Sequence, residues 1–501
     1  MSAAPVTLAT SANERYVTTV GIECHVQLKT ATKLFSSVGN DAREAPPNTL
    51  VTHIDFGLPG ALPVLNAEAV HLAARAAFAL GSEPQKFSKF DRKHYFYPDL
   101  PLGYQITQFD EPIILGGSVT IDVDGETKVI GITRAHLEAD AGKSTHPAGA
   151  DYSLVDLNRA GTPLLEIVSE PDMHTPAEAK AYARELYLRM KYADVSEANL
   201  YYGNMRFDVN VSVSPASAAP GTLGTRTETK NINSFRAVEK VVEYETKRQI
   251  EVIGQGGAIV QETRGWDDAK LKTFSQRTKE DAHDYRYFPD PDLPPVVITD
   301  EYIATVRDEM PALPDAWRER LQTLGLTKPQ VETLLDAEIE FDTVSFLPLI
   351  EANLDKPWLA KHIANWNVNV FVPLVRNGGL QLGAEEHSRL VTELYDLLQA
   401  NKLSSTNAKQ LFADLAGLPK LPEDIEVFAT DKGYIQDSDE DAILAVVDKV
   451  LADNPKAADD VRGGEMKAIG FLVGQVMKRS QGKANPALAQ QLIKKQLGIE
   501  S

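Results

Sequence analysis

Two side chains two residues apart, Glu23 and His25, are the first in this chain whose types and spacing suggest chemistry. They lie in the run Val20-Gly21-Ile22-Glu23-Cys24-His25-Val26-Gln27-Leu28, which is short, rich in β-branched residues and free of proline, so it reads as a strand. On a strand Glu23 and His25 share one face while Ile22, Cys24 and Val26 share the other. A carboxylate beside a neutral imidazole suits a divalent cation, the first supplying charge and the second a nitrogen donor. Arg134 to Ser144 repeats the pattern, with His136, Glu138 and Asp140 on one strand face. Thr225 to Ser234 carries Glu228, Lys230 and Asn231 out of a strand into a helix N-terminus, whose free N–H groups and positive dipole end could hold phosphate. Lys89 to Asp99 interleaves Arg92, Lys93 and His94 with aromatic rings, the mixture expected where a base or ribose meets phosphates. Taken singly, each stretch also fits a polar, solvated strand face.

Gly142-Lys143-Ser144 imitates the end of a phosphate-binding P-loop, but the motif needs a glycine five residues before Gly142, where Leu137 stands. Glu23, His25, Glu138 and Glu228 remain as ligands that would converge beside lysines, arginines and a helix end. That set suits a magnesium or manganese nucleotide site, where the metal neutralises phosphate charge. Spacing alone does not show that the four converge.

The elements that would position them come from a chain of 501 residues, 43% hydrophobic and 24% charged, long enough for several domains. No apolar stretch approaches the ~20 residues that span a bilayer. Met1 to Glu14 lacks the basic-then-apolar order of a signal peptide, so a cytoplasmic protein without a membrane partner is expected. One cysteine excludes an internal disulfide and a Cys-rich zinc site.

Residues 16 to about 299 alternate β-rich runs with turns and few helices, which predicts a mixed α+β domain. Its helices start at Asn66, at Thr175 (a capping box with Glu178) and near Ser234. Beyond Pro294-Pro295 the pattern is helical, with amphipathic stretches at 385–400, 407–415, 441–452, 464–479 and 486–497. Domains are expected at 1–299, 300–385 and 386–501. Net charge is −20, yet Val461 to Ser501 holds seven Lys/Arg against two acids, after a segment, Leu421 to Asp460, with twelve acids and three lysines. A basic tail on an acidic protein is a candidate polyanion contact, and equally a solvated helix face.

Longer motifs add a resemblance. Gly21 to Thr30, Phe90 to Asp99, Ser153 to Val168, Asp284 to Pro289, Ala468 to Lys478 and Gly482 to Pro486 resemble the B subunits of the tRNA-dependent amidotransferase GatCAB, over nearly the whole chain. The resemblance implies a cradle-like, mixed-sheet catalytic domain, a helical domain and a helical YqeY-like tail. It implies ATP-dependent phosphorylation of the side-chain carboxyl of misacylated Glu-tRNA(Gln) or Asp-tRNA(Asn), then displacement of phosphate by ammonia. ATP is the co-substrate, Mg2+ or Mn2+ the ion, and an amidase (A) subunit and a small C subunit the partners. The ligands would be Glu23, His25, Glu138 and Glu228, with Glu138, Glu228, Lys93 and Lys230 catalytic. Arg92, Lys143, Asn231 and Ser234 would meet the nucleotide, and Lys478, Arg479, Lys483, Lys494 and Lys495 the tRNA.

The chain departs from that pattern at Leu102 and Ala139, where the family carries a lysine and a glutamate paired on the ammonia route, and at Tyr201, Tyr202 and Phe207, which replace an acidic pair and a cysteine. The first departure implies a passage without charges. Two other readings compete: a non-catalytic tRNA-holding subunit, and a free-standing metal-dependent phosphotransferase acting on a small carboxylate.

Overall fold

The computed structural model describes residues 7–10, 14–219, 221–278, 285–340, 346–377, 382–435, 440–480 and 484–499. The chain divides into two compact units, Met1–Ala316 and Trp317–Ser501.

The first unit is built on a sheet of 13 strands. Ten form its main path: β1 (Glu14–Gln27), β2 (Asp91–His94), β3 (Tyr104–Thr107), β4 (Glu126–Ala139), β5 (Pro163–Ser169), β6 (Met205–Pro215), β7 (Thr227–Ile232), β8 (Glu262–Asp267), β9 (Lys272–Thr278) and β10 (Phe288–Pro289). Their order across the sheet is β9-β8-β7-β6-β1-β5-β4-β3-β2-β10. All neighbours on this path are antiparallel except β7 and β8, so the sheet is mixed, as expected.

Strand β1 alternates strictly: Val20, Ile22, Cys24 and Val26 are buried and the residues between them half-buried. The apolar set joins a core with Ala73, Tyr182, Leu186 and Val238 from three helices, α1 (Ala67–Ala79), α2 (Pro176–Tyr192) and α3 (Phe235–Gly254). The helices thus cover one side of the sheet, and Glu23 and His25 face the other. Cys24 lies in the core, as its position on the strand requires.

The helix starts follow their caps. Asn66, Thr175 and Ser234 each accept a hydrogen bond from a first-turn N–H. Glu178 reaches back one residue further than a capping box: its Oε2 accepts from His174 N–H at 2.6 Å and meets Lys128 Nζ at 2.9 Å.

Behind β7 sits a buried polar network. Glu245 of α3 is fully buried and pairs with Arg248 at 2.7 Å and Arg264 at 3.0 Å. Its Oε2 also accepts from Thr227 Oγ1 at 2.8 Å, while Gln249 Nε2 donates to Thr227 Oγ1 and to the Val211 carbonyl at 3.0 Å each. The helix therefore grips β6 and β7 from the side opposite Glu228.

The described residues of the second unit contain helices and no strand. The expected amphipathic stretches appear as Ala384–Gln399, Ser405–Ala416, Glu440–Asp453, Lys467–Arg479 and Pro486–Gln496. The fourth starts three residues late, because Gly463 and Gly464, the latter at φ +95°, end the preceding helix there. The last three pack on a shared core that includes Val447, Leu472 and Leu492. No helix among the described residues is long and apolar enough to cross a membrane.

Candidate active site

Cross-strand register assembles two clusters on the open face. His25 stands opposite Glu166 of β5, and Glu166 opposite His136 of β4. Glu138 follows His136 by two residues and joins them. His25 Nε2 lies 3.8 Å from Glu138 Oε1 and 3.6 Å from Glu166 Oε2, while His136 Nε2 lies 3.4 Å from Glu166 Oε2 and 3.9 Å from Glu138 Oε2. Donor atoms of His25, Glu138 and Glu166 all lie within 4.8 Å of one another. One nitrogen and two carboxylate oxygens at that spacing could hold a borderline divalent ion.

The second cluster lies two residues back along β1. Glu23 faces Asp208 of β6, and Asn210, two residues on, faces Glu228 of β7. Oxygens of Glu23, Asp208 and Glu228 lie within 4.8 Å of one another, an all-oxygen set suited to a hard cation. Lys230 Nζ sits among them, 2.7 Å from Asp208 Oδ2 and 2.9 Å from Glu228 Oε1. A bulge sets this up. Between Phe207 and Val209 the β6–β7 register gains a residue on β7, and Asn231 takes φ +58°. Asparagine tolerates that left-handed conformation better than most residues. The Asn231 N–H then donates to Asp208 Oδ1 at 2.8 Å.

The sequence reading placed Glu23, His25, Glu138 and Glu228 together; the sheet divides them, two to each cluster. It omitted Glu166 and Asp208. Asp208 left a signal, since Arg206, Asp208, Asn210 and Ser212 alternate with Phe207, Val209, Val211 and Val213. Glu166 left a fainter one as the lone charge in Leu164-Leu165-Glu166-Ile167-Val168.

Electrostatics show carboxylates short of positive charge. Burial, reinforced by Glu166 and Glu228, raises the pKa of Glu23. Burial and the charge of Glu166 likewise raise that of Glu138. Burial alone would raise Glu166 too, but His136, His25 and Lys93 outweigh it and hold Glu166 ionised. For His25, burial favours the neutral ring, yet Glu166 and Glu138 prevail and lift it above its usual 6.5. A cation would therefore compete with protons for Glu23, Glu138 and His25. Divalent-cation affinity is expected to rise with pH from the carboxylate range to above 6.5 and then level off, with proton release seen as a buffer-dependent heat in titration calorimetry. A pH-independent affinity would contradict these ligands.

Two family models match the chain: the GatB/GatE catalytic domain over residues 18–304 and the GatB domain over residues 349–497. Among similar curated proteins is the B subunit of the aspartyl/glutamyl-tRNA(Asn/Gln) amidotransferase of Thermoanaerobacter pseudethanolicus, 44% identical over 96% of this chain and 99% of that protein. The proteins of the same name from Carboxydothermus hydrogenoformans and Brevibacillus brevis are 43% and 44% identical, again over 96% of this chain and 99% of theirs. The chain belongs to the GatB family.

Residues expected from the GatB resemblance to meet a nucleotide are spread out. Arg92 is held by Asp290 at 2.8 Å and Asp292 at 2.9 Å, and lies over the Tyr104 ring. Ser234 is engaged as the cap of α3, its Oγ accepting from Ala237 N–H at 3.1 Å. The Asn231 N–H is taken by Asp208. Lys143 lines a cavity of about 470 Å³ with Gln27, Lys29, Arg43, Arg159 and Tyr202. Gln27 follows His25 by two residues on the same face, so this recess opens next to the first cluster. Lys93 packs over Tyr285, 5.2 Å from the ring centre, and the Phe109 and Tyr287 rings stack nearby at 3.7 Å.

The two apolar departures from the GatB pattern meet in space. Leu102 and Ala139 line one small cavity of about 40 Å³ with Phe35, Tyr104, Gln105 and Asp140. In the tail, Lys478 is exposed, Lys494 half-buried, Arg479 pairs with Asp453 at 2.5 Å, and Lys495 pairs with Glu440 at 3.3 Å. Lys483 lies outside the described residues.

Proposed function

We propose that this chain is the carboxyl-activating subunit of a tRNA-dependent amidotransferase, working in the cytoplasm as one part of a heterotrimer with an amidase subunit and a small C subunit. Its substrates would be ATP and tRNA misacylated with glutamate or aspartate. The observation that carries the reading is the pair of carboxylate clusters on one sheet face, side by side along β1 and flanked by Lys93 and Lys230.

A side-chain carboxylate is a poor electrophile. Its oxygen attacks the γ-phosphorus of ATP, the bond to ADP breaks, and an acyl phosphate forms. Ammonia then adds at the acyl carbon and phosphate leaves, giving the amide. Mg2+ or Mn2+ held by His25, Glu138 and Glu166 and by Glu23, Asp208 and Glu228 would supply positive charge to the phosphate oxygens. The ammonium groups of Lys93 and Lys230 add to it, and Lys143 and Arg159 line the adjoining recess where an anionic substrate can extend. The half-buried rings of Tyr95, Tyr285 and Tyr287 around Lys93 would limit the access of water to the acyl phosphate. The nitrogen would come from the partner amidase subunit, since the sequence shows no glycine/serine-rich amidase signature and its only cysteine is sealed in the core.

The tail supports a tRNA role. Helix Lys467–Arg479 turns Lys467, Gly470, Phe471, Gly474 and Lys478 outward on one face, with Phe471 51% exposed. Two glycines leave room for a backbone to approach, and the ring and lysines offer stacking and charge. The division of the helical part at residue 385 is part of this proposal.

The test is ATP hydrolysis by the complex with and without misacylated tRNA. Strong stimulation by charged tRNA and loss in Glu138→Gln support the reading. Hydrolysis driven by a free amino acid alone would favour a stand-alone phosphotransferase, and tRNA binding without hydrolysis a holding subunit.

Leu102 and Ala139 take a lysine–glutamate pair out of the ammonia route that the resemblance implies, although Asp55 and Asp140 still line the cavity they share. The double variant Leu102→Lys/Ala139→Glu is expected to tie glutaminase activity more tightly to charged tRNA, read as the ratio of glutamine hydrolysis with and without it. Equal ratios in the two complexes would discard the role.

A further inference from the structure

We propose that Lys230 is a resident counter-cation, which fills the Glu23, Asp208 and Glu228 cluster until a divalent ion arrives with the nucleotide and then trades its carboxylates for phosphate oxygens. The inference rests on the metal and nucleotide reading above and goes beyond it by assigning an order to binding.

The two clusters are neutralised differently. Among the described residues, Glu138 and Glu166 have only the imidazoles of His25 and His136 within ion-pair distance. The other cluster holds an ammonium, 2.7 Å from Asp208 and 2.9 Å from Glu228. A divalent ion taking those oxygens would face this like charge at close range, so the lysine must move aside. Those two ion pairs are what hold it in place. The Lys230 side chain is 38% exposed and carries its charge on a flexible stem, while the Asn231 bulge fixes the backbone below it.

Asn210 supplies an independent sign of an incoming ligand. It is nine-tenths buried, its Nδ2 donates to Glu23 Oε1 at 3.0 Å, and its Oδ1 has no hydrogen-bond partner. A buried acceptor without a donor is costly, and it is satisfied if the amide turns that oxygen to a cation in the cluster. A lysine already in place keeps a free ion out, and a triphosphate removes that obstacle by offering the displaced ammonium new oxygens. Ion and nucleotide then bind each more tightly in the presence of the other, as linkage requires.

The experiment counts Mn2+ bound to the full chain by electron paramagnetic resonance of the unbound ion, with and without the non-hydrolysable analogue AMP-PNP. Wild type is expected to hold one ion tightly without nucleotide and a second only with it. Lys230→Gln should bind the second without nucleotide, about tenfold or more tighter than wild type, and AMP-PNP should no longer tighten it. Lys230→Arg, which keeps the charge, should behave as wild type, and circular dichroism checks that both variants fold. Two tight ions in wild type without nucleotide, or unchanged binding in Lys230→Gln, would overturn the exchange alone. Absence of Mn2+ binding in every protein would overturn the metal reading and the exchange with it.

Discussion

Glu166→Gln is expected to lower tRNA-stimulated ATP hydrolysis by about 10²- to 10³-fold, the loss of several kcal/mol of charge stabilisation at a metal-assisted phosphoryl transfer. The amide keeps the shape of the carboxyl but carries no charge, and its nitrogen cannot ligate a cation. Glu166 touches both imidazoles and shares its cluster with Glu138, so its charge is the one most of the site is arranged around. In the metal-free protein Glu166 also steadies its neighbours, since His136, His25 and Lys93 outweigh its burial and keep it ionised, so its loss removes a favourable interaction even as it relieves the repulsion on Glu138. The melting temperature of the metal-free protein is therefore expected to fall modestly, with the circular dichroism of the fold retained, while Mn2+ affinity collapses. Retained activity would remove Glu166 from the site, and a variant unfolded at the assay temperature would make its role structural.

Glu245→Ala should act the other way, through stability. Glu245 is fully buried and satisfies Arg248, Arg264, Thr227 and Thr273 together. Its removal leaves Arg248 without this carboxylate and Arg264 with Glu262 alone, at an expected cost of about 3 kcal/mol. The pH dependence has a definite sign. Burial works to raise the Glu245 pKa, but hydrogen bonds from Arg248 and Thr273 and the charges of Arg248 and Arg264 prevail and lower it. A lowered pKa contributes stability that is present above the unfolded value of about 4.3 and is lost as pH falls through the folded one. Urea unfolding of the variant should show a lower midpoint at neutral pH and a smaller further loss in acid than wild type. A deficit under about 1 kcal/mol would mean that the arginines find other partners. Because Thr227 adjoins Glu228, the variant should also bind Mn2+ less tightly at the Glu228 cluster.

The alternation in the sequence told which side of each strand carries chemistry. Ile22, Cys24 and Val26 against Glu23 and His25, or Leu137 against His136 and Glu138, could be assigned without coordinates because a strand has a period of two. Which strands lie side by side could not. Glu166 and His25 are far apart along the chain, and Asp208 and Glu23 further still; they meet only through the order β6-β1-β5-β4. That order is a property of the whole sheet, and no local window holds it. Asn231 and Ser234 illustrate a different limit. Both looked free to meet phosphate, but a bulge consumed the N–H of one and a helix cap the hydroxyl of the other. Local hydrogen-bond demands of the backbone are not visible in residue types alone.

Strand β1 couples two requirements that proteins commonly keep apart. Its apolar residues seal the helix-covered core and its ionisable residues serve both clusters, so a slip of one position would bury Glu23 and His25 and expose Ile22, Cys24 and Val26. A molecule misregistered at this strand has no core to hold it together. A folded but catalytically blank copy of this kind is therefore not an expected product of the sequence. Quality control that recognises exposed apolar surface would clear inactive copies from the translation apparatus without any sensor of their activity.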